Sequence, residues 1–289
     1  MLRANGDEVA FSEYGDPVGD PVFFFHGWPS SRTMAALTHE AACRHGVRII
    51  SPDRPGIRNS TFRANRTLRD WPPLVEELAD HLGLNRFRVL AISGGAPYAY
   101  ATAMAFPERV SAIAIASGAP PIAEMEDHAG LLRLYRWGIR MNRTTPRLLR
   151  ALFHVAQPFA SRRVPFSLRP LLLKTLQPCD AEVLRDARAF EACFESSRNA
   201  WRVSVAGVLA DAEIYIRPWG FTLEEVRVPV RLWHGTSDRA FHYSLAEGVS
   251  RRLPQCRLRI IEGAGHYSLP IRNIDEILAD LVAASSAFG

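Results

Sequence analysis

The chain has 289 residues, of which 47% are hydrophobic and 22% are charged, and this ordinary globular balance excludes intrinsic disorder. The length suits one large α/β domain or a core domain with an insertion, and it is enough to bury a sizeable core. The net charge is +5, but the arginines are spread along the chain and do not cluster between aromatic residues, so we expect no nucleic-acid partner.

Apolar runs alternate with helical patterns along the first 116 residues, which is typical of a mainly parallel sheet with helices on both faces. The run Val22-Phe23-Phe24-Phe25 is continuous and rich in β-forming residues, which indicates a strand buried on both faces. The prolines after Trp71 suit the first turn of a helix. In chain order, the predicted elements are a strand at 22–25, a helix at 32–45, a strand at 47–51, a helix at 71–82, a strand at 87–92, a helix at 97–106 and a strand at 110–116.

The stretch from about residue 119 to residue 226 lacks the β-like pattern. Its apolar residues recur at helical spacing, most clearly in 131–137 and 148–153. Asp180 is predicted to cap a helix that begins at Ala181. The whole stretch is therefore predicted to be helical.

Strands are predicted again at 228–233 and 256–261, and an amphipathic helix through 274–282 closes the pattern. The sequence shows no internal repeats and no low-complexity segment. These features indicate one sheet domain that is interrupted once. The predicted domains are a core made of 1–118 and 227–289, and a helical insertion at 119–226.

The sequence also bears on location and on cysteine chemistry. The N-terminal residues lack the apolar stretch of a signal peptide, and no uninterrupted apolar run approaches the roughly 18 residues that span a bilayer. We therefore expect a cytoplasmic protein with no membrane partner.

The cysteines are far apart and form no C-x-x-C pair, which predicts buried thiols in a reducing compartment. They are Cys43, Cys179, Cys193 and Cys256.

Polar side chains follow three of the predicted strands near the point where each strand ends: Ser93, Asp238 and His266. In an open parallel sheet, the loops at the carboxyl ends of the strands form the crevice where ligands bind. These residues can therefore meet although they lie far apart in sequence. A serine becomes a nucleophile when an imidazole removes its proton, and a carboxylate holds and stabilises that imidazole. We predict Ser93 as nucleophile, His266 as base and Asp238 as the orienting acid.

The residues around the serine also fit such chemistry. Small residues at Ala91 and Gly95 leave room for a tight turn that pushes the serine side chain into the cleft. The helix that follows points its N-terminal amides at the site, which favours developing negative charge. His26-Gly27-Trp28-Pro29 closes another strand. If that turn lies beside the serine, the backbone amides of Trp28 and Gly94 would form an oxyanion hole.

Five short motifs stand in order along the chain: His26-Gly27-Trp28-Pro29, Asp53-Arg54-Pro55-Gly56, Ala91-Ile92-Ser93-Gly94-Gly95, His234-Gly235-Thr236-Ser237-Asp238 and Gly265-His266. With them, the chain resembles the α/β-hydrolase superfamily over nearly its whole length, in the family's order of nucleophile, acid and histidine. The resemblance implies a mostly parallel α/β-hydrolase sheet flanked by helices. It also implies a serine nucleophile and a helical cap, which falls on 119–226.

Two positions depart from the family pattern. The serine turn opens with Ala91 where the family usually has glycine, and alanine is small enough for the turn. Ile57-Arg58-Asn59 follows the D-R-P-G turn, where the family usually has another small, glycine-bearing stretch. We expect Arg58 to be exposed at the surface.

Other titratable residues are weaker candidates for the site. Asp211 and Glu213 are rival acids, but they lie within the helical insertion and follow no strand. His26 is predicted to hold the oxyanion turn, and His234 to lie in the core or behind the acid. No metal-ligand spacing occurs, and the chemistry needs no cofactor, so we expect neither.

The insertion has aromatic residues that either line a substrate pocket or pack between cap and core, and together they favour an apolar substrate. They are Tyr135, Trp137, Phe190, Phe194, Trp201, Tyr215, Trp219 and Phe221. The partner we expect is a small-molecule substrate, and the oligomeric state stays open.

The leading hypothesis is a serine hydrolase that cleaves a moderately apolar ester, thioester or lactone through an acyl-enzyme. The same three residues also serve carbon–carbon bond or amide hydrolysis, acyl transfer and hydroxynitrile-lyase chemistry within this family. An aspartate nucleophile, as in epoxide hydrolases and haloalkane dehalogenases, is disfavoured by the serine at position 93. A non-catalytic small-molecule receptor on the same fold is the alternative from another class.

Overall fold

A sheet of seven strands forms the centre of the protein, in a computed structural model that describes residues 1–3 and 5–284. The strands are β1 (Phe11–Gly15), β2 (Asp20–Phe25), β3 (Val47–Pro52), β4 (Phe87–Ile92), β5 (Val110–Ala116), β6 (Val230–Gly235) and β7 (Cys256–Ile261). Their order is β1-β3-β2-β4-β5-β6-β7, with β1 antiparallel to β3 and all other neighbours parallel. The predicted fold class, a mostly parallel α/β sheet flanked by helices, is confirmed.

Helices cover both faces of this sheet. Within the described residues they are α1 (His39–Arg44), α2 (Trp71–His81), α3 (Ala96–Ala105), α4 (Arg133–Thr144), α5 (Pro146–Ala160), α6 (Arg169–Leu173), α7 (Pro178–Val183), α8 (Ala187–Arg202), α9 (Val205–Tyr215), α10 (Tyr243–Arg252) and α11 (Ser268–Ala283). In the same ranges, none of them is long and apolar enough to cross a membrane. Short 3-10 helices occupy Arg32–Thr38, Leu68–Asp70, Ser93–Gly95, Ile122–Glu124, Phe166–Leu168 and Leu223–Glu225.

The sheet is buried on both faces because alternate residues of a strand point to opposite sides. Phe23 and Phe25 of β2 belong to a core cluster that includes side chains of α2, α3 and α10. Val22 and Phe24 of the same strand belong to a second cluster with side chains of α1 and α11. Burial on both faces of the sheet therefore explains why residues 22–25 form a continuous apolar run.

Helices α4 to α9 lie between β5 and β6, where the insertion at 119–226 is predicted. Its division from the core as a separate cap stays a prediction. The predicted helix at 32–45 is a 3-10 helix at Arg32–Thr38 followed by α1. Strand β1 was not predicted from the sequence, because it is an edge strand whose side chains are mostly half-buried and so lacks a strong apolar pattern.

The prediction of four buried thiols is wrong for three of them. Cys193 is buried, whereas Cys43 is exposed and both Cys179 and Cys256 are partly exposed. Cys43 lies on the short helix α1, and Cys256 begins β7, at the edge of the sheet. Spacing along the sequence carries no information on these positions.

Replacing Phe23 with alanine tests the double burial of the sheet. Phe23 is fully buried, and its ring centroid lies 4.8 Å from that of Phe87 in an edge-to-face arrangement. We expect Phe23→Ala to lower the free energy of unfolding by about 3–5 kcal/mol, because the cavity left behind collapses only in part. Urea denaturation measures this change. Phe62→Ala, at a side chain that is 45% exposed, is the matched control and should cost about 1 kcal/mol or less. Equal losses would contradict the burial of β2.

Candidate active site

Ser93 lies in a tight turn between β4 and α3. Its φ is 54°, in the left-handed region that non-glycine residues rarely adopt, so the turn holds local backbone strain. A side chain at Gly95 would collide with the Phe25 carbonyl oxygen of β2, which explains the glycine there. Ala91 is fully buried in β4, where a methyl group is accommodated.

Ser93 is hydrogen bonded to a second predicted residue, which in turn contacts the third. Its Oγ lies 3.0 Å from Nε2 of His266, and Nδ1 of the same ring lies 2.8 Å from Oδ2 of Asp238. The other oxygen of Asp238 accepts hydrogen bonds from the backbone N–H groups of Ala240 and Phe241, at 2.7 and 3.0 Å. The loops after β4, β6 and β7 thus bring serine, imidazole and carboxylate into one hydrogen-bonded chain.

The charge states of Asp238 and His266 are set mainly by the contact between these two side chains. Burial alone would raise the pKa of Asp238, but the contacts with His266, His234 and the Phe241 N–H together hold that pKa below its ordinary value. Burial alone would lower the pKa of His266, but the carboxylates of Asp238 and, to a lesser extent, Asp180 together raise that pKa above its ordinary value. Asp238 is therefore charged at neutral pH and stabilises a proton on the ring.

Trp28 adjoins the serine turn, as predicted. A Cβ built at Gly94 would lie 3.0 Å from the Cβ of Trp28, and Trp28 lines the same cavity as Ser93. In the described part of the chain, the backbone N–H groups of Trp28 and Gly94 donate to no other group of the protein. Both are available as donors, and their role as an oxyanion hole stays a prediction.

A buried ionic cluster joins the insertion to the turns around the serine. Asp211 of α9 is fully buried, and its Oδ2 accepts from Nε of Arg54 at 2.7 Å. Its Oδ1 accepts from the Tyr98 hydroxyl at 2.8 Å and from Arg66. Burial opposes the charge, but the two arginines prevail and lower the pKa of Asp211 to about 2. Both oxygens are engaged, which removes Asp211 as a rival to Asp238.

The same cluster reaches the backbone on both sides of the site. Arg54 also donates to the carbonyl oxygens of His26 and Gly27, at 2.7 Å each. The hydroxyl of Tyr215, at the end of α9, donates to the carbonyl oxygen of Gly94 at 2.9 Å. Two turns of the candidate site are therefore held by side chains that depend on α9.

Asp180 has a different role from the one predicted. It lies in the first turn of α7, and its side chain caps another helix. Its carboxylate accepts from the backbone N–H groups of His266, Tyr267 and Ser268, at 2.8–3.1 Å, where α11 begins. The predicted cap of a helix beginning at Ala181 is wrong, because the groups that Asp180 caps are at least 86 residues further along the chain.

The contact between Asp180 and the turn before α11 explains the glycine at position 265. A side chain at Gly265 would collide with the Asp180 carboxylate. The N–H of Gly265 donates to Ser268 Oγ at 2.7 Å, which tightens the same turn. The sequence did not predict Asp180 as part of the site. The glycine at position 265, which leaves room for the Asp180 carboxylate, is the one sequence feature that reflects this contact.

The other candidate residues form no hydrogen bond with Ser93, His266 or Asp238, although Nε2 of His234 lies 3.5 Å from Oδ2 of Asp238, behind the acid. Nδ1 of His26 and Nε2 of His234 lie 3.0 and 2.9 Å from backbone carbonyl oxygens, and burial lowers the pKa of both rings. Glu213 pairs with arginines at 2.7 and 3.1 Å. Arg58 is partly buried and not fully exposed as expected from the sequence, and it is not among the residues that line the cavity. Among the described residues, no group of three or more His, Cys, Asp or Glu side chains could hold a metal ion.

A cavity of about 110 Å³ opens beside Ser93. Its walls are mainly apolar, with a few hydroxyl groups. They include Gly27, Trp28, Pro29, Ser30, Met34, Leu37, Ile92, Tyr135, Cys193, Phe194, Ser196, Ser197, His266, Tyr267, Pro270 and Ile271. Of the aromatic set in the insertion, Tyr135 and Phe194 line this cavity, whereas Trp137 is exposed to solvent.

The fold and a match to a known protein family define the class to which this protein belongs. The sequence profile of the alpha/beta hydrolase fold family matches residues 20–271, so the chain belongs to that family. The resemblance read from the five motifs is confirmed.

Individual relatives agree with this assignment. The chain is 30% identical over 116 residues to an uncharacterized hydrolase, YcgS, of Bacillus subtilis (strain 168), a match that spans 40% of each chain. It is 26% identical over 248 residues to a pimeloyl acyl-carrier protein methyl ester esterase of Aromatoleum aromaticum, over 85% of this chain and 90% of the relative. A carboxylesterase structure from Nitrososphaera gargenis superposes with a TM-score of 0.70 at 17% identity, over 97% of this chain and 96% of that one. The family and its esterase members support a hydrolase activity.

Asp180→Asn tests whether the insertion influences the charge state of His266. The pKa of His266 is set by burial and by Asp238, and the negative charge of Asp180 raises it further. We expect the substitution to lower this pKa, measured by NMR titration of the imidazole. An unchanged pKa of His266 would contradict the influence of Asp180 on that ring.

Asp186→Ala is the matched control for this experiment. Asp186 caps α8 in the same insertion, where it accepts from the N–H of Ala189 at 2.8 Å. Its loss should cost about 0.5–2 kcal/mol of stability, as for other helix caps, and should leave the pKa of His266 unchanged.

Proposed function

We propose that the protein is a serine hydrolase that cleaves a moderately apolar ester, thioester or lactone through an acyl-enzyme. The observation that carries the proposal is the 3.0 Å hydrogen bond between Ser93 Oγ and His266 Nε2, with Asp238 on the far side of the ring. A serine so aligned at the wall of a cavity is an activated nucleophile. A non-catalytic receptor would gain nothing from this alignment.

In the proposed reaction, Ser93 Oγ attacks the carbonyl carbon while His266 Nε2 accepts its proton. The oxygen that becomes negative is stabilised by the N–H groups of Trp28 and Gly94. His266 then protonates the leaving alkoxide or thiolate, and the acyl group stays on the serine. Asp238 stabilises the imidazolium in this step. Water, deprotonated by the same imidazole, releases the acid and restores the serine.

The cavity limits the size of the acyl group. A volume of about 110 Å³ is smaller than the roughly 150 Å³ engineered cavity that accepts benzene in another protein. We therefore propose acyl chains of about six carbons or fewer, with the alcohol portion extending out of the cavity. Tyr135 and Phe194 supply an apolar wall, and Ser196 and Ser197 supply hydroxyl groups for the polar part of the substrate.

Ser93→Ala tests the nucleophile. Without Oγ no acyl-enzyme can form, so we expect kcat/KM for para-nitrophenyl butyrate to fall by about 10⁴-fold or more. Ser250→Ala, the same change at a serine on α10, is the control and should retain activity. A fluorophosphonate probe should label Ser93 in the unmodified protein, and absence of the adduct would favour a receptor. Undiminished turnover by Ser93→Ala would overturn the proposal.

The raised pKa of His266 predicts the pH dependence. Below that pKa the ring is protonated and cannot accept the Ser93 proton, so kcat/KM for a neutral ester should rise with pH. The midpoint should lie above 6.5, the ordinary value, because Asp238 and Asp180 together outweigh the effect of burial. Asp238→Asn should move the midpoint downward and lower kcat by about 10⁴-fold. A midpoint that Asp238→Asn leaves in place would contradict this assignment.

A further inference from the structure

The segment between Asp127 and Asp180 differs in charge from the rest of the chain. It has nine arginines and one lysine but no aspartate or glutamate, although the whole chain has a net charge of only +5. Arginines do occur along the entire chain, so the absence of acidic residues is what distinguishes this stretch. We call residues 128–179, which contain α4, α5 and α6, the basic segment.

Within residues 133–147 of the basic segment, five exposed arginines have no ion-pair partner. In the part of the chain that the structure describes, no carboxylate lies within 4.0 Å of their guanidinium groups. They are Arg133, Arg136, Arg140, Arg143 and Arg147. The first four recur every three or four residues along α4 and so form one row on that helix. These charges are available to an anionic partner.

An apolar row on α5 also faces solvent. Its members are Leu148, Leu152, Val155 and Phe159. They recur every three or four residues, so they share one face of the helix, and Phe159 is 69% exposed. On α4, Leu134 and Trp137 are exposed in the same way. Each of the two helices therefore presents both apolar and cationic side chains to solvent.

Other side chains of α4 and α5 hold these helices to the protein. Ile139 of α4 and Leu149 of α5 are buried, and the Phe153 ring centroid lies 6.4 Å from that of Trp28. Tyr135 of α4 lines the cavity. The residues of the exposed rows keep a large part of their surface outside this packing. Apolar surface rimmed by charge is typical of interaction sites.

The charge of the segment decides between occupants of this surface. A second copy of the chain would bring two acid-free basic segments together, and juxtaposed like charges oppose that association. Nucleic acid would pair with the arginines but would leave the apolar row of α5 unburied. An acidic protein is a rival occupant. An anionic lipid surface matches both features, because its phosphates pair with guanidinium groups while its acyl boundary takes leucine, valine and aromatic side chains.

We propose that the basic segment docks α4 and α5 onto the surface of an anionic lipid bilayer. This docking lies on the membrane and does not cross it, so it revises the sequence expectation of no membrane partner, which rested on the lack of a spanning run. Tyr135 lines the cavity from α4, so docking would bring the cavity to within about one helix diameter, roughly 10–12 Å, of the lipid. The proposal does not depend on the proposed function.

Co-sedimentation with vesicles tests the docking. We expect the full chain to bind vesicles of phosphatidylcholine mixed with phosphatidylglycerol, and to bind pure phosphatidylcholine far more weakly. Raising the salt from about 0.1 M to 1 M shortens the screening length from about 10 Å to 3 Å and should weaken binding. No binding to the anionic vesicles at low salt would overturn the proposal.

Paired variants separate the segment from the overall charge. Arg136→Gln/Arg140→Gln should weaken vesicle binding by about 5-fold for each arginine, or about 25-fold together. Arg227→Gln/Arg251→Gln removes the same charge from exposed positions outside the segment and should have little effect. Equal losses in the two pairs would overturn the proposal, because binding would then follow net charge alone.

The apolar row distinguishes lipid from an acidic protein. Leu152→Ser/Phe159→Ser changes two exposed side chains, so folding should be retained, and it should weaken vesicle binding at least tenfold. The fluorescence of Trp137 should shift to shorter wavelength when anionic vesicles are added. Unchanged binding by the serine variant, together with equal binding to soluble polyglutamate, would indicate an acidic protein and overturn the proposal. A dimer in sedimentation velocity that this variant abolishes would indicate a second copy and overturn it likewise.

Discussion

The buried carboxylate of Asp211 is the group on which the arrangement around Ser93 depends. It is paired with Arg54 and Arg66 inside the protein, and removing one member of such a pair typically costs about 3–5 kcal/mol because the other charge stays buried and unpaired. Arg54 in turn holds two backbone carbonyls of the turn that leads from β2 to Trp28. The position of Trp28, one of the two proposed oxyanion donors, therefore rests on an ion pair with the insertion.

The insertion has three such contacts with the site, one for each of its turns. Asp211 holds the turn before Trp28 through Arg54, Tyr215 holds the serine turn at its backbone, and Asp180 holds the turn that presents His266. A part of the chain that would be expected to select substrate therefore also fixes the geometry of the proposed chemistry. The outer surface of the insertion makes none of these three contacts. The unpaired arginines and the exposed apolar side chains lie on that surface.

Ser93, Asp238 and His266 could be predicted from sequence because each follows a parallel strand, and the carboxyl ends of such strands meet at one edge of a sheet. The contacts of Asp180 and Asp211 could not. They join groups 86 and 157 residues apart, and a tertiary contact between an insertion and a core leaves no periodic pattern in either segment. Strand β1 was missed for a related reason, because a half-exposed edge strand lacks the apolar run that marked β2.

In the proposed reaction Ser93 carries an acyl group during turnover, and mass spectrometry of an acid-quenched reaction would detect that group. The wild-type protein would be quenched while it hydrolyses a slowly deacylated ester, and its peptides would then be mapped. We expect a mass gain equal to the acyl group on the peptide that contains Ser93, and no gain on that peptide without substrate. Steady consumption of the ester with Ser93 unmodified, or with the acyl group on another residue, would contradict it.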